Sequence, residues 1–205
     1  MYWEGAIELG KFSAKRNYSF NRKIHVDGVI SAQYARPVCE MHYGLVGTRR
    51  HGSGWVSVYN VLWLLTRNVS PAKIIRSLEN VGGTVLGGLW GTKLRDLISV
   101  LSEYGYSSQV YIPGDGDKGL FPVGATGILV YRTARWFGEN RYVAFRKLDH
   151  DSYEFFNPAS RERSLEAFLN RQQALRGAKA LIIRKPVTVP DTEITMRLNA
   201  VRRTF

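Results

Sequence analysis

The stretch that decides the fold runs from His51 to Leu65 and reads HGSGWVSVYNVLWLL. A small hydroxyl residue, Ser53, stands between two glycines at the start of a segment that is apolar almost all round. A helix that is hydrophobic on every side belongs in a core, so residues 54–67 are expected to form a central buried helix. Serine is a preferred residue at a helix N-cap, which gives Ser53 a purely structural reading. The same place also suits a reactive side chain, because the dipole and free N–H groups of a helix N-terminus favour negative charge. The string alone leaves both readings open.

Working outward, two more helical patterns follow. In SPAKIIRSLENVGG, Ser70 fits an N-cap, Pro71 fits the first helical position, Ile74, Ile75 and Leu78 form an apolar stripe, and Gly82 is a stop. In GTKLRDLISVLSEYGY, Thr92 is the expected cap, Leu94, Leu97, Ile98 and Leu101 form the stripe, and Gly105 ends the helix. The period then changes. SSQVYIP, TGILVYRT, RYVAFRKL and SYEFFN are β-branched and aromatic runs, with LDHD as a turn between the last two. SLEAFLNRQQAL predicts a short helix capped by Ser164, although Ala167 leaves the capping box incomplete, and KALIIRK predicts a closing strand. Residues 1–50 read as irregular, with one hairpin in IHVDGVISAQYA turning at Asp27 and Gly28. Helices first and antiparallel strands afterwards make an α+β layout.

The chain has 205 residues, 44% of them hydrophobic and 22% charged, enough for a sizeable core. Its longest apolar run is a core-helix length, short of the ~18 residues that span a bilayer, and the N-terminus lacks the apolar h-region of a secretory signal. One cysteine, Cys39, excludes an internal disulfide framework. The cytoplasm is the default compartment on these grounds. The formal charge of +12 is unevenly spread: residues 1–50 carry 8 Lys/Arg against 4 Asp/Glu, residues 51–158 carry 11 against 9, and residues 159–205 carry 10 against 4. Basic flanks on a nearly neutral block suit an acidic partner or nucleic acid, and equally a solvated surface. No Lys/Arg run and no recognised motif supports nucleic acid further. His25, His42, His51 and His150 lack metal-ligand spacing, and GDGD at residues 114–117 lacks the further ligands of a calcium loop, so no metal or other cofactor is expected.

The order of elements, with five short strings, resembles the papain-like cysteine peptidases, and within them the type that removes bacteriocin leader peptides. The strings are Ser53-Gly-Trp-Val-Ser-Val-Tyr-Asn-Val-Leu62, GGTVLGGLWGTKL, ATGILVYR, RYVAF and FFNPA. The resemblance covers about residues 45–185. It implies a papain-like fold, with a central buried helix and a helical half packed on an antiparallel sheet. It divides the chain into an N-terminal extension at 1–44, the papain-like domain at 45–186 and a basic tail at 187–205.

In that family a cysteine opens the central helix, held as thiolate by the helix N-terminus. A histidine on a facing strand acts as base and then acid, an Asn or Asp orients it, and a glutamine upstream of the cysteine stabilises the oxyanion. Carried over position by position, the nucleophile position holds Ser53, the histidine position holds Arg141, and the orienting position holds Asn157. GLVGTRRHG offers no glutamine, and Gln33 lies too far upstream to be given that role.

Three explanations of Ser53 follow. It is a cysteine replaced by serine in an active peptidase; or a true serine nucleophile, for which neither Arg141, His51 nor His150 is a well-placed base; or part of a cleft that has lost its chemistry. The last accounts for every departure at once. It implies a catalytically degenerate homologue that binds a peptide or protein in the former cleft. A neutral hydroxyl beside a fixed positive charge would favour an acidic partner. The structural readings stand beside these: Asn60 as a satisfied core amide, Trp55, Tyr59 and Trp63 as core or cleft-wall aromatics, and Arg141 as a solvated edge charge or an anion-binding group.

Overall fold

The computed structural model describes residues 13–45, 47–82, 92–113, 121–133, 140–174 and 177–185. Most of GGTVLGGLWGTKL, the GDGD segment and the basic tail therefore lie outside the described residues. The helices are α1 (13–21), α2 (Thr48–His51), α3 (Ser53–Thr66), α4 (Pro71–Asn80), α5 (Leu94–Glu103) and α6 (Leu165–Arg171). The strands are β1 (Ser107–Tyr111), β2 (Thr126–Arg132), β3 (Asn140–Asp149), β4 (Ser152–Phe156), β5 (Ser160–Glu162) and β6 (Lys179–Arg184). They form one antiparallel sheet in the order β1-β6-β2-β3-β4-β5.

Helix α3 is the spine of the molecule. Every residue from Ser53 to Leu62 is buried, as its all-round apolarity requires. It packs against β3 and β2 and against α4 and α5. Side chains alternate across a strand, and the alternation divides the core in two. Ile128, Val130, Tyr142, Ala144, Leu181 and Ile183 face the α3 side. Leu129, Val143, Phe145, Phe155 and Ile182 face the other side, where Leu165 and Phe168 of α6 cover them. Because both faces are covered, β2 reads as one continuous apolar run, TGILVY, without polar alternation.

The two glycines of HGSGW have a steric reason. A Cβ on Gly54 would stand 2.5 Å from Thr92 Oγ1 and 2.7 Å from Thr92 Cβ, and one on Gly52 would stand 2.6 Å from both Thr48 Cγ2 and Thr48 O. Only a residue without a side chain lets the helix entry pass this close to its neighbours.

Several sequence expectations change. IHVDGVISAQYA forms no strand, because its backbone is bonded to side chains instead. Asn60 of α3 accepts from Ile30 N at 2.7 Å and donates to Ile30 O at 2.9 Å, and Tyr59 Oη donates to Gly28 O at 3.0 Å. Asn60 is thus a satisfied amide whose work is to hold this segment. Residues 13–21, read as irregular, form α1. Its buried stripe is Ser13, Ala14, Asn17 and Asn21, small and polar residues with no apolar periodicity to betray it. Amides fasten it: Asn17 Nδ2 donates to Gly44 O and to Glu79 Oε1, and Asn21 exchanges two bonds with the His42 backbone. Residues 13–44 also supply Ile30, Val38, Met41 and Tyr43 to the main core.

At the caps, Ser164 behaves as expected and accepts from Ala167 N at 3.0 Å. Thr92 does not: the N-cap of α5 is Lys93, while the Thr92 hydroxyl pairs with Tyr43 Oη at 2.7 Å and its carbonyl accepts from Tyr142 Oη at 2.6 Å. Ser70 occupies the N-cap of α4 without a side-chain bond, and Pro71 follows at the first helical position. Among the described residues, no helix is long and apolar enough to cross a membrane.

Candidate functional site

A groove of about 500 Å³ opens where the N-terminus of α3 meets the ends of β2 and β3. It gathers residues from across the sequence: Gln33, Arg49, Ser53, Tyr131, Arg141, Asn157 and Arg171 all line it. The three positions singled out from sequence, Ser53, Arg141 and Asn157, are therefore neighbours in space.

Ser53 is the first residue of α3, not its cap. The N-cap is Gly52, no side chain caps the turn, and α2 runs almost directly into α3 through Gly52. The Ser53 carbonyl accepts from Ser57 Oγ at 2.8 Å. Arg141 comes from the second residue of β3 and stands opposite Tyr131 of β2 in the register. Alternation puts it on the same sheet face as Val143 and Phe145, while Tyr142 turns toward α3.

Gln33, which sequence distance had kept out of the site, is buried within it. Its backbone N–H donates to Asn157 Oδ1 at 2.8 Å, and its Oε1 accepts from Asn157 Nδ2 at 2.9 Å. Its Nε2 donates to Arg49 O at 3.1 Å and Thr48 O at 3.4 Å. The two hydrogens of an amide nitrogen are then both engaged, and neither is offered to an oxyanion. Asn157 holds Gln33, and Gln33 holds the last turn before Ser53. This pair of amides ties the sheet to the helix entry. Asn157 reaches it with φ of 65°, a left-handed conformation that asparagine adopts more readily than most residues. The signal that could have found Gln33 was the anchoring of its segment to Asn60, which only the fold reveals.

The chemistry available at Ser53 is limited. No histidine, aspartate or glutamate is among the described residues lining the groove. His51 is buried on α2 outside the lining, and His150 sits exposed in the β3–β4 turn, roughly 30 Å along β3 from Arg141 at about 3.3 Å per residue. Burial pushes the Tyr131 hydroxyl up to about 12, against a smaller opposing pull from the Arg141 charge. Tyr131 is therefore a hydrogen-bond donor near neutral pH and not a base. An arginine keeps its proton throughout. Cys39, the single thiol, lies on the short 3-10 turn Val38–Glu40, away from the groove lining.

Among the described lining residues the charged side chains are all arginines. Arg49, Arg141 and Arg171 enter it from α2, β3 and α6, and Arg171 Nη1 also pairs with Glu162 Oε1 at 2.5 Å. Among the described residues no group of three or more His, Cys, Asp or Glu side chains could hold a metal ion.

No family model matches the sequence, and no curated protein matches it. Solved structures do. The peptidase domain of Streptococcus ComA, a bifunctional ABC transporter of a quorum-sensing pathway, superposes with a TM-score of 0.50 at 13% identity, over 70% of this chain and 97% of that one. A double-glycine-motif protease from an AMS/PCAT transporter, solved with its leader peptide, gives a TM-score of 0.43 at 14% identity, over 64% of this chain and 83% of that one. At such identities likeness speaks for fold alone, and the ComA domain is the comparison that carries it. Its peptidase architecture spans nearly its whole length on this chain. A mixed α+β chain, with a buried central helix laid on an antiparallel sheet, has the papain-like fold of these peptidase domains.

Proposed function

We propose that this protein is a catalytically degenerate homologue of the papain-like leader peptidases, which holds a peptide or protein partner in the groove between α3 and β3. The observation that carries the reading is the company Ser53 keeps. A serine hydroxyl is hardly ionised near neutral pH and needs an adjacent base. Beside it in the groove stand Arg141, a protonated Tyr131, and Gln33, whose two amide hydrogens are engaged by the Thr48 and Arg49 carbonyls. The volume of about 500 Å³ falls in the range of ligand sites, roughly 300–1,000 Å³, so the loss of chemistry leaves room for a ligand. A cysteine peptidase captured as a Cys-to-Ser form would account for Ser53 but not for Arg141.

The test is to incubate the protein with an immobilised octapeptide library and to read retention and mass spectra together. Retention of a subset without cleavage is the expected result. Hydrolysis that disappears in Ser53→Ala would overturn the reading, and so would the absence of any retained peptide. A companion variant, Ser53→Cys with Arg141→His in a Cys39→Ser background, should alkylate with iodoacetamide faster than free cysteine, because the helix N-terminus and a facing imidazole favour the thiolate. A folded variant that alkylates no faster would argue against a retained cleft.

A further inference from the structure

We infer that the protein has a second binding surface, the outward face of α1 and the turn after it, which takes single-stranded nucleic acid through Lys15, Arg16, Arg22 and Lys23. None of these four is among the described residues lining the groove, so the surface stands apart from it. The helical period sorts residues 13–23 into two faces. Ser13, Ala14, Asn17 and Asn21 are buried inward, while Lys15, Arg16, Ser19, Arg22 and Lys23 are exposed on the opposite side. Arg22 N donates to Tyr18 O at 3.0 Å, so the helical path continues past Asn21 and keeps Arg22 on the outward face. Four cations thus share about 12 Å of helix length, and no Asp or Glu stands among residues 13–23.

The molecule itself does not neutralise these charges. Elsewhere arginines stand against carboxylates: Arg36 with Glu40, Arg95 with Asp96, Arg146 with Glu154 and Arg171 with Glu162. No ion pair among the described residues includes Lys15, Arg16, Arg22 or Lys23. Glu79, buried beneath α1, is bound by Asn17 and the Gly44 N–H, and the Arg16 charge is the smallest influence on its proton. The cations do not fasten the helix either, since Asn17 and Asn21 do that from the inward face. Like charges crowded on one face repel, a cost that an anionic partner would relieve. A basic stripe along a helix, in a chain of net charge +12, is the electrostatic footprint of a phosphate backbone.

The flanks of the stripe favour a single strand. On one side the Phe20 ring, 45% exposed, lies stacked on the His42 ring, with centroids 4.1 Å apart and planes at 25°. On the other side the Arg76 guanidinium lies 5.0 Å over the Tyr18 ring. Both border a hollow of about 390 Å³ that Lys73 and Tyr104 also line, with Glu103 as the carboxylate in its wall. Flat faces beside a cationic stripe suit unpaired bases, which stack on aromatic rings and guanidinium planes. A duplex keeps its bases within its own stack and would use the charges alone. A bilayer fits less well, because a helix lies in a membrane interface by burying its apolar face there. The inward face of α1 is already covered by the protein, and outward the described helix offers one large exposed apolar side chain, Phe20.

The test is fluorescence anisotropy of the full chain with a fluorescein-labelled oligouridylate of roughly 15 nucleotides. Four phosphate contacts predict a slope of about −3 for log affinity against log salt. Lys15→Gln, Arg16→Gln, Arg22→Gln and Lys23→Gln together, all at exposed positions, should weaken binding about 100-fold in ~50 mM salt and remove most of the slope. An equal loss of charge elsewhere, by Arg161→Gln, Arg163→Gln, Lys179→Gln and Arg184→Gln at exposed positions, should leave affinity within about threefold. Phe20→Ala should cost about fivefold or more with the slope unchanged, the worth of one stacked base. Unaltered urea midpoints show that each variant is folded.

Absence of binding by the unmodified chain would overturn the inference and leave the reading of the groove intact. So would a control set that loses as much affinity as the α1 set, or a duplex of the same length bound as tightly as the single strand. Displacement of the oligonucleotide by vesicles of phosphatidylserine and phosphatidylcholine, at a lower phosphate concentration than unlabelled oligouridylate requires, would overturn it in favour of a membrane.

Discussion

The two walls of the groove are built on different terms. On the helical wall, the residues around Ser53 are dictated by contact: Gly52 and Gly54 because a Cβ would enter Thr48 or Thr92, Trp55 because it is buried with its Nε1 bonded to Thr48 Oγ1 at 3.0 Å. On the strand wall, Tyr131 is held by ring packing, edge to face with Phe168 at 5.8 Å, and Arg141 stands half-buried opposite it at the end of the β ladder. The difference teaches where a site of this kind can change. The helix entry is held by close contacts that a single methyl would break, and the strand end by the packing of a ring against α6.

That comparison is open to breakage in a graded series. The largest effect is expected at Trp55→Ala, which should cost about 3–5 kcal/mol of stability, read as a shift in the urea midpoint, through lost burial and an unfilled cavity. Glu79 comes next. Burial raises its carboxyl to about 7 from an ordinary 4.5, opposed by the Asn17 and Gly44 hydrogen bonds. A raised carboxyl pKa means the folded state holds the proton more tightly than the unfolded one. Its contribution therefore favours folding most below about 4.5 and is lost as pH rises through about 7, on the order of 3 kcal/mol in all. Glu79→Gln should flatten the pH dependence of the urea midpoint between pH 4.5 and 7. An unchanged slope would show that the clasp joining α1, α4 and Gly44 does not titrate there.

Gly54→Ala should cost about 1–3 kcal/mol despite the better helix propensity of alanine, since Thr92 must move. A neutral or stabilising result would remove the steric account of the helical wall. Gln33→Ala leaves Asn157 short of its partner in a buried place and should cost about 1–3 kcal/mol. The smallest effect on stability is expected on the strand wall: Arg141→His, at a half-buried position, should cost less than Gly54→Ala, about 1 kcal/mol or under. A loss as large as that of Gly54→Ala would erase the distinction between the walls.

How much of this could be read beforehand follows the same division. The central helix, the helices α4, α5 and α6, and all strands but β5 were legible, because apolar periodicity and β-branched runs record burial directly. The papain-like order of elements was legible for the same reason. Helix α1 was not, because Ser13, Ala14, Asn17 and Asn21 bury by hydrogen bonding and small size. The supposed hairpin misled because Asp27 and Gly28 carry real turn chemistry, while the backbone around them is claimed by Tyr59 and Asn60. At the site, Ser53, Arg141 and Asn157 were found by their places in short strings. Gln33 was missed because nothing local marks a residue whose partner stands 124 positions away.

That separation has a consequence for how the groove comes into being. A ribosome adds roughly 5–20 residues per second, so the interval between Gln33 and Asn157 is about 6–25 s of synthesis. Throughout that time the helix entry has emerged while the amide that will brace it is served only by water. The groove is thus among the last features of the nascent chain to be assembled, and any product that stops short of β4 carries the central helix without the amide pair that ties it to the sheet.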